Sequence, residues 1–315
     1  MIRPVLLDTD LGSDVDDAIA LALLLACQEL RLVAVTTVSG DVAGRAQATA
    51  RLLGAAGRRD VEVCAGAADA LVRARRFNAE AIPLEAYPGG PAARVSGEPA
   101  AERIVRAARE TPGLELVAVG PLTNLAHALA LDPALPERVA RLHVMGGHVR
   151  RVAIGERVCE PGIDYNLCSD PEASVMVLGA GFATRLVTAD VTLQVWLREA
   201  DLARLAAAPR PATRALPPLV RLWTPIQRRI FVDQLGGTLA GDNVAFLHDP
   251  LTVLALVDES ALRFEQLRIV PTIEAGVLRT HELGGAAGVG APMEVATGVD
   301  AAAARDAMLA RLLSA

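Results

Sequence analysis

Lysine is missing from this chain: every one of its 31 basic residues is an arginine. That excludes a Schiff-base lysine, a phosphate-loop lysine and a Ser–Lys dyad. No Gly-x-Ser-x-Gly occurs either, which argues against a nucleophile elbow. Aromatics amount to 3%, so the core has to be built from Ala, Leu and Val. Single-stranded nucleic-acid surfaces need aromatic platforms beside basic patches. With 31 basic against 37 acidic residues and a net charge of −6, no nucleic-acid partner is expected. The four cysteines, Cys27, Cys64, Cys159 and Cys168, contain no Cys-x-x-Cys pair. A chain of 315 residues needs no disulfide scaffold, so they read as buried or incidental thiols of a reducing compartment. The longest apolar run, Ala18 to Cys27, is too short for a bilayer. The opening MIRPVLLDTD reaches acid too early for a signal peptide. These absences together lead to the expectation of a cytoplasmic protein with no membrane partner.

Hydrophobic residues make up 52% and charged residues 22%, which excludes a disordered chain. A chain this long buries roughly three-quarters of its unfolded surface. Apolar runs of strand length alternate with segments of helical length. Strands are expected at Val5–Leu7, Leu32–Val38, Val61–Cys64, Leu114–Val119, His143–Met145 and Thr184–Thr188. Helices are expected at Asp16–Ala26, Val42–Ala56, Ala100–Glu110, Asn124–Leu131, Pro171–Leu178, Leu251–Val257 and Asp300–Leu313, the last capped by Asp300. This alternation implies right-handed βαβ units on a mostly parallel sheet with helices on both faces. Stretches 66–99, 146–170 and 207–218 break the rhythm and read as functional loops. No linker-like shift or repeat divides the chain, so residues 1–315 are read as one domain.

The most informative segment is Asp8-Thr9-Asp10-Leu11-Gly12-Ser13-Asp14-Val15-Asp16-Asp17. Five carboxylates crowd between a buried strand and a helix, where open α/β sheets bind ligands. Close carboxylates repel, and a hard cation that prefers oxygen relieves the repulsion. His248-Asp249-Pro250 stands at the mouth of another helix and offers one acid and one ligand. Val117-Ala118-Val119-Gly120-Pro121 ends a strand with the Val119 carbonyl at the sheet edge, either a turn acceptor or a metal ligand. Trp223 reads equally as a core residue or as a platform for a nucleobase, with Gln227 on the same helix face. Met145 ends a strand and is placed on the pocket floor. His127, His143, His148 and His281 receive no role.

In combination these residues resemble the inosine-uridine preferring nucleoside hydrolase family. The motifs run from DTDLGSDVDDAIAL through TTVSGD, VAVGPLTN, HVMGG, DYNLCSDPEA and FLHDP to THELGG, covering nearly the whole chain. The resemblance implies a single-domain Rossmann-like α/β fold, bound Ca²⁺ and hydrolysis of ribonucleosides to base and ribose, in salvage or catabolism. It further implies a homodimer or homotetramer. Carried over by motif, Asp10, Asp17, Asp249 and the Val119 carbonyl would ligate calcium. Asp10 would also be general base to a metal-bound water. Asp16 and Asn166 would hold ribose hydroxyls, and His248 would protonate the leaving base. The chemistry agrees, since glycosidic cleavage passes through an oxocarbenium-like state that carboxylates stabilise.

The chain departs from the family pattern at several points. The acidic motif is two residues longer, with Asp14 in the insertion. Asp41 stands where the pattern supplies Asn, and Asp164 where it supplies Glu. EAYPGG replaces a His-Gly loop near residues 80–90, and no obvious substrate-binding Asn follows Gly147. Asp41 and Asp164 remain expected substrate contacts. Two alternatives stay open: a non-catalytic, calcium-dependent ribonucleoside binder, and a haloacid-dehalogenase-like phosphatase beginning on the same Asp-x-Asp.

Overall fold

The structure is a computed structural model that describes residues 2–72, 80–162, 164–283 and 289–314. Its first strands are β1 (Arg3–Thr9), β2 (Leu30–Thr37), β3 (Glu62–Ala65), β4 (Val95–Ser96), β5 (Glu115–Ala118) and β6 (Arg141–Met145). There follow β7 (Val152–Ile154), β8 (Arg157–Cys159), β9 (Thr184–Val187), β10 (Trp196–Arg198) and β11 (Asn243–Phe246). The last three are β12 (Leu262–Glu274), β13 (Val277–Glu282) and β14 (Ala291–Val299). The helices begin with α1 (Asp16–Ala26), α2 (Val42–Ala55), α3 (Ala100–Glu110), α4 (Thr123–Leu131), α5 (Leu135–Arg138), α6 (Tyr165–Ser169) and α7 (Pro171–Leu178). They continue with α8 (Ala189–Thr192), α9 (Glu199–Ala206), α10 (Pro211–Arg214), α11 (Leu216–Arg228), α12 (His248–Val257) and α13 (Ala301–Leu313).

Ten strands form one sheet in the order β13-β12-β14-β9-β6-β5-β1-β2-β3-β4. From β14 to β4 every neighbour is parallel. Both faces are covered, and the side-chain alternation of a strand shows it directly. Val5 and Leu7 of β1 enter one hydrophobic cluster while Leu6 enters the other. Val117 of β5 joins the first cluster, and Leu116 and Ala118 the second. Leu and Ala dominate both, as the scarcity of aromatics requires.

The expected α/β architecture is therefore the observed one, and α1, α3 and α7 match their expected spans. Two regions differ. Residues 207–218 are not a loop: α10 and α11 both start there, each with proline in its first turn, where the missing N–H costs nothing. The far edge of the sheet is antiparallel, with β12 pairing β13 and β14 in that sense. Its half-exposed, charged strands lack the apolar runs that mark the parallel ones.

Candidate active site

The strand order places the carboxyl ends of β6, β5, β1 and β2 side by side. The chain leaves β1 for β2 on one side and reaches β5 on the other. This divergence is the switch point where open parallel sheets bind ligands. The acidic segment follows β1, Val119 follows β5, and Met145 ends β6. Val119 N–H donates to the Asp8 carbonyl at 2.8 Å, so the two segments are stitched together. Gly120 is needed for this approach: a Cβ there would stand 2.9 Å from the Asp10 amide nitrogen.

Asp249 arrives from far along the chain. Helices α1 and α12 pack together, and the Asp249 N–H donates to Asp16 Oδ2 at 3.1 Å. The cap of α12 thus comes from another helix, since Leu247 at its own N-cap offers no side-chain acceptor. One oxygen each from Asp16, Asp17 and Asp249 lies within 4.8 Å of the others, and all three residues are buried. Thr9 Oγ1 donates to Asp17 Oδ1. Asp10 is buried with them, 3.9 Å from an Arg45 guanidinium nitrogen.

Burial, followed by mutual repulsion, holds Asp16, Asp17 and Asp249 well above the ordinary carboxylate range. Burial and then Asp17 push half-exposed Asp14 up to about 8. Asp8 is pushed by burial to about 7, although Thr36 and Asn124 donate to its Oδ1 at 2.5 and 2.7 Å. Its Oδ2 is buried and has no hydrogen-bond partner among the described residues. Crowded, buried oxygens of one charge fit a hard cation, because each one relieves its neighbours' repulsion when the ion binds. The group can hold a metal ion.

His248 opens α12, with Nδ1 2.6 Å from Thr192 Oγ1 and its ring beside Phe246. Burial lowers its pKa to about 4, so the imidazole is neutral near pH 7. Asn166 donates to the Val119 carbonyl at 2.8 Å and to the Met145 carbonyl at 3.2 Å. Two expected roles, ribose-holding amide and ligating carbonyl, therefore meet in one hydrogen bond. The carbonyl keeps a second lone pair.

The other expected contacts are distributed unevenly. Asp41 is exposed and caps α2 through Gly44 N–H at 2.9 Å. Asp164 caps α6 through Leu167 N–H at 2.8 Å, and burial raises its pKa to about 6. Trp223 is 4% exposed within the larger hydrophobic cluster. Gln227, expected as a substrate contact, has both ends of its amide engaged by the protein. Its Nε2 donates to Asn243 Oδ1 at 3.0 Å and its Oε1 accepts from Phe246 N–H at 2.7 Å, so both ends of the buried amide hold β11. His143 pairs with Glu115 at 2.7 Å and His281 with Glu274 at 2.8 Å, while His127 is exposed. His148 is buried, with Nε2 unpartnered among the described residues. Part of the THELGG motif lies outside the described residues.

Sequence reasoning missed Thr192, Asn124 and Arg45. Asn124 was visible inside the GPLTN motif, whereas nothing in the sequence marks Thr192 as the neighbour of a histidine 56 positions away.

The profile of the inosine-uridine preferring nucleoside hydrolase family matches residues 5–306. The pyrimidine-specific ribonucleoside hydrolase RihA of Shewanella sp. (strain MR-4) is 33% identical over 266 residues, covering 82% of this chain and 79% of that protein. RihA of Salmonella arizonae is 32% identical over 265 residues, covering 82% and 80%. Among solved structures, a plant nucleoside hydrolase, PpNRh1, superposes with a TM-score of 0.83 at 25% identity over 100% of both chains. A purine-preferring ribonucleoside hydrolase from Gardnerella vaginalis shares the fold, with a TM-score of 0.80 at 22% identity over 98% of both. The phosphatase alternative gains no support from these matches. The carboxylates gathered at the switch point, the histidine beside them and a profile match across almost the whole length lead to one assignment: this chain belongs to the inosine-uridine preferring nucleoside hydrolase family, enzymes that hydrolyse the N-ribosyl bond of nucleosides.

Proposed function

We propose that the chain hydrolyses ribonucleosides to free base and ribose in a calcium-dependent reaction at the carboxyl end of β1. The observation that carries this reading is the convergence of buried Asp16, Asp17 and Asp249 next to His248. The all-oxygen donor set suits Ca²⁺, and Asp10, Asp17, Asp249 and the Val119 carbonyl are the residues that would hold it. Asp16 stands in the same cluster and would serve the ion or the sugar. When bound, the cation acidifies water and binds the ribose cis-diol.

The protein's own groups do the rest. Asp10 takes a proton from the attacking water. Asp16 and Asn166 hold the ribose hydroxyls, with Met145 beneath them, and the surrounding carboxylates stabilise the positive charge that develops on the sugar. His248 serves the departing base. His248 Nδ1 and Thr192 Oγ1 share a hydrogen bond; where the hydroxyl is the donor, the ring proton rests on Nε2, which is the tautomer this reading requires. Burial keeps the ring neutral, so proton donation requires that the imidazole first take up a proton from solvent, an uptake that negative charge growing on the base favours. Asp41 and Asp164 are secondary contacts, since each is already engaged in capping a helix.

We also read the chain as one domain that assembles as a cytoplasmic homodimer or homotetramer. Among the described residues no helix is long and apolar enough to cross a membrane. A panel of purine and pyrimidine ribonucleosides, with ribose measured as reducing sugar before and after chelation, tests the activity. Ribose release that stops on chelation and returns with Ca²⁺ is the expected result. Binding of nucleoside without ribose release would favour the non-catalytic binder instead. Deoxyribonucleosides should be poorer by factors of roughly 10⁴, because a missing hydroxyl leaves buried polar groups unpaired.

A further inference from the structure

Arg45 is a basic residue, beside the acidic cluster, that the motifs do not account for. It sits on α2, one turn beyond Asp41, and its side chain runs beneath the loop between β1 and α1. Its Nε donates to the Ser39 carbonyl at 2.6 Å, and its Nη1 donates to Ser13 Oγ at 3.4 Å. The same Nη1 stands 3.9 Å from Asp10 Oδ2, with the Arg45 side chain 11% exposed. Gly12 lies over the stem at φ +123°, where a Cβ would be 3.4 Å from Arg45 Cγ. Residues 80–87 close the far side, Ile82 N–H donating to the Gly12 carbonyl at 2.8 Å. The buried Tyr87 there brings a phenol, which carries no charge.

We propose that Arg45 is a built-in counter-cation of the metal site: it holds the Asp10 loop in place by its fork and offsets the cluster's negative charge until a divalent cation enters. The proposal rests on the calcium reading above. Arg45 is then a positioning residue whose charge opposes that of the ion, so its removal has an unusual sign. Loss of a purely structural residue weakens metal binding. Loss of a nearby positive charge strengthens it.

Calcium binding to chelator-treated protein, measured by calorimetry at low ionic strength, distinguishes the two. Arg45→Met should bind Ca²⁺ roughly 10- to 100-fold more tightly than wild type, the range expected for one charge at this distance in a partly buried site. Arg45→Lys keeps the charge and should stay within roughly threefold of wild type. Arg45→Gln, which retains a donor for Ser13, should tighten binding like Met and covers the case in which the Met variant does not fold. Unchanged or weaker binding in both neutral variants would overturn the counter-cation role while leaving the calcium reading intact. Absence of Ca²⁺ binding by wild type would remove the calcium reading and the proposal together.

Discussion

The two ends of the central sheet both bury charge, and they do so in opposite ways. At the amino end, arginines and carboxylates are matched. Arg185 reaches Glu294 at 2.9 Å and Glu259 at 2.7 Å, lies over the Phe264 ring at 4.4 Å and donates to the Ala255 carbonyl at 2.7 Å. Arg3 meets Glu115 at 3.1 Å and also donates to the Leu256 carbonyl. These two cations cap the C-terminus of α12, where the helix dipole favours positive charge. At the carboxyl end, the N-terminus of the same helix faces Asp16, Asp17, Asp249 and Asp10, with Arg45 beside them. Compensated charge holds the scaffold, whereas charge left in excess marks the place where something else binds. One helix connects the two ends, anchored by arginine at its C-terminus and carrying His248 and Asp249 at its start.

The sharpest break in this symmetry is Asp17→Ala. Removing one carboxylate from the excess should abolish metal binding and lower turnover by roughly 10³-fold or more, as expected for loss of a metal-holding group. The metal-free variant should melt no lower than wild type, since one repelling group is gone. A lower melting temperature without metal would contradict the contrast between the ends.

His248→Ala should lower turnover of inosine by roughly 10²–10⁴, the span of general acid catalysis, and leave calcium binding intact. p-Nitrophenyl riboside, whose leaving group needs no proton, should be cleaved nearly as well by the variant. Equal losses on both substrates would mean that His248 positions the sugar.

At the other end, Arg185→Met breaks a buried network and leaves Glu294 with less compensation. It should destabilise the fold by about 1.5–3 kcal/mol in a denaturant titration, because the buried guanidinium's bonds to the Ala255 carbonyl and to Glu294 are lost while Glu294 keeps Arg141. Turnover per folded molecule should change little. A stable variant with lost activity would reverse the assignment of the two ends.

The smallest expected effect is on pH dependence. Asp8 and Asp14 titrate at about 7 and about 8 in the folded chain, above their ordinary 3.8. Folded-state pKa values raised in this way favour the native state below 3.8, and that advantage is lost as pH climbs through 7 and 8. His248 has the opposite sign, its pKa depressed from 6.5 to about 4, and costs stability as pH falls through that window. Several carboxylates outweigh one imidazole. The metal-free protein should therefore melt lower at pH 8 than at pH 6, and added Ca²⁺ should reverse the slope. A metal-free melting temperature that rises over this interval would show that the carboxylates are not uncompensated.

Much of this was readable from residues alone. Six of the parallel strands announced themselves as β-branched or leucine-rich runs, because strands buried on both faces are mostly apolar, whereas β4 and β14 did not. The acidic motif was legible because five carboxylates in ten residues are costly unless they serve a purpose. The antiparallel edge was not legible, since Leu262–Glu274 mixes charged and apolar residues in no strong period. The partners of Gln227 were not legible either, because a glutamine amide looks the same whether it meets a substrate or a strand. Its bonds to Asn243 and Phe246 follow from the packing of α11 on β11.

Sequence by itself determined the layered α/β architecture, the acidic turn after the first strand and the family, because each rests on local composition and on motifs read in order. Tertiary structure alone decided which carboxylates meet, that Thr192 adjoins His248 and that Arg45 lies against Asp10. Those contacts join residues as many as 233 positions apart, as Asp16 and Asp249 are. No local pattern encodes such pairs; the strand order and the packing of α1 on α12 do.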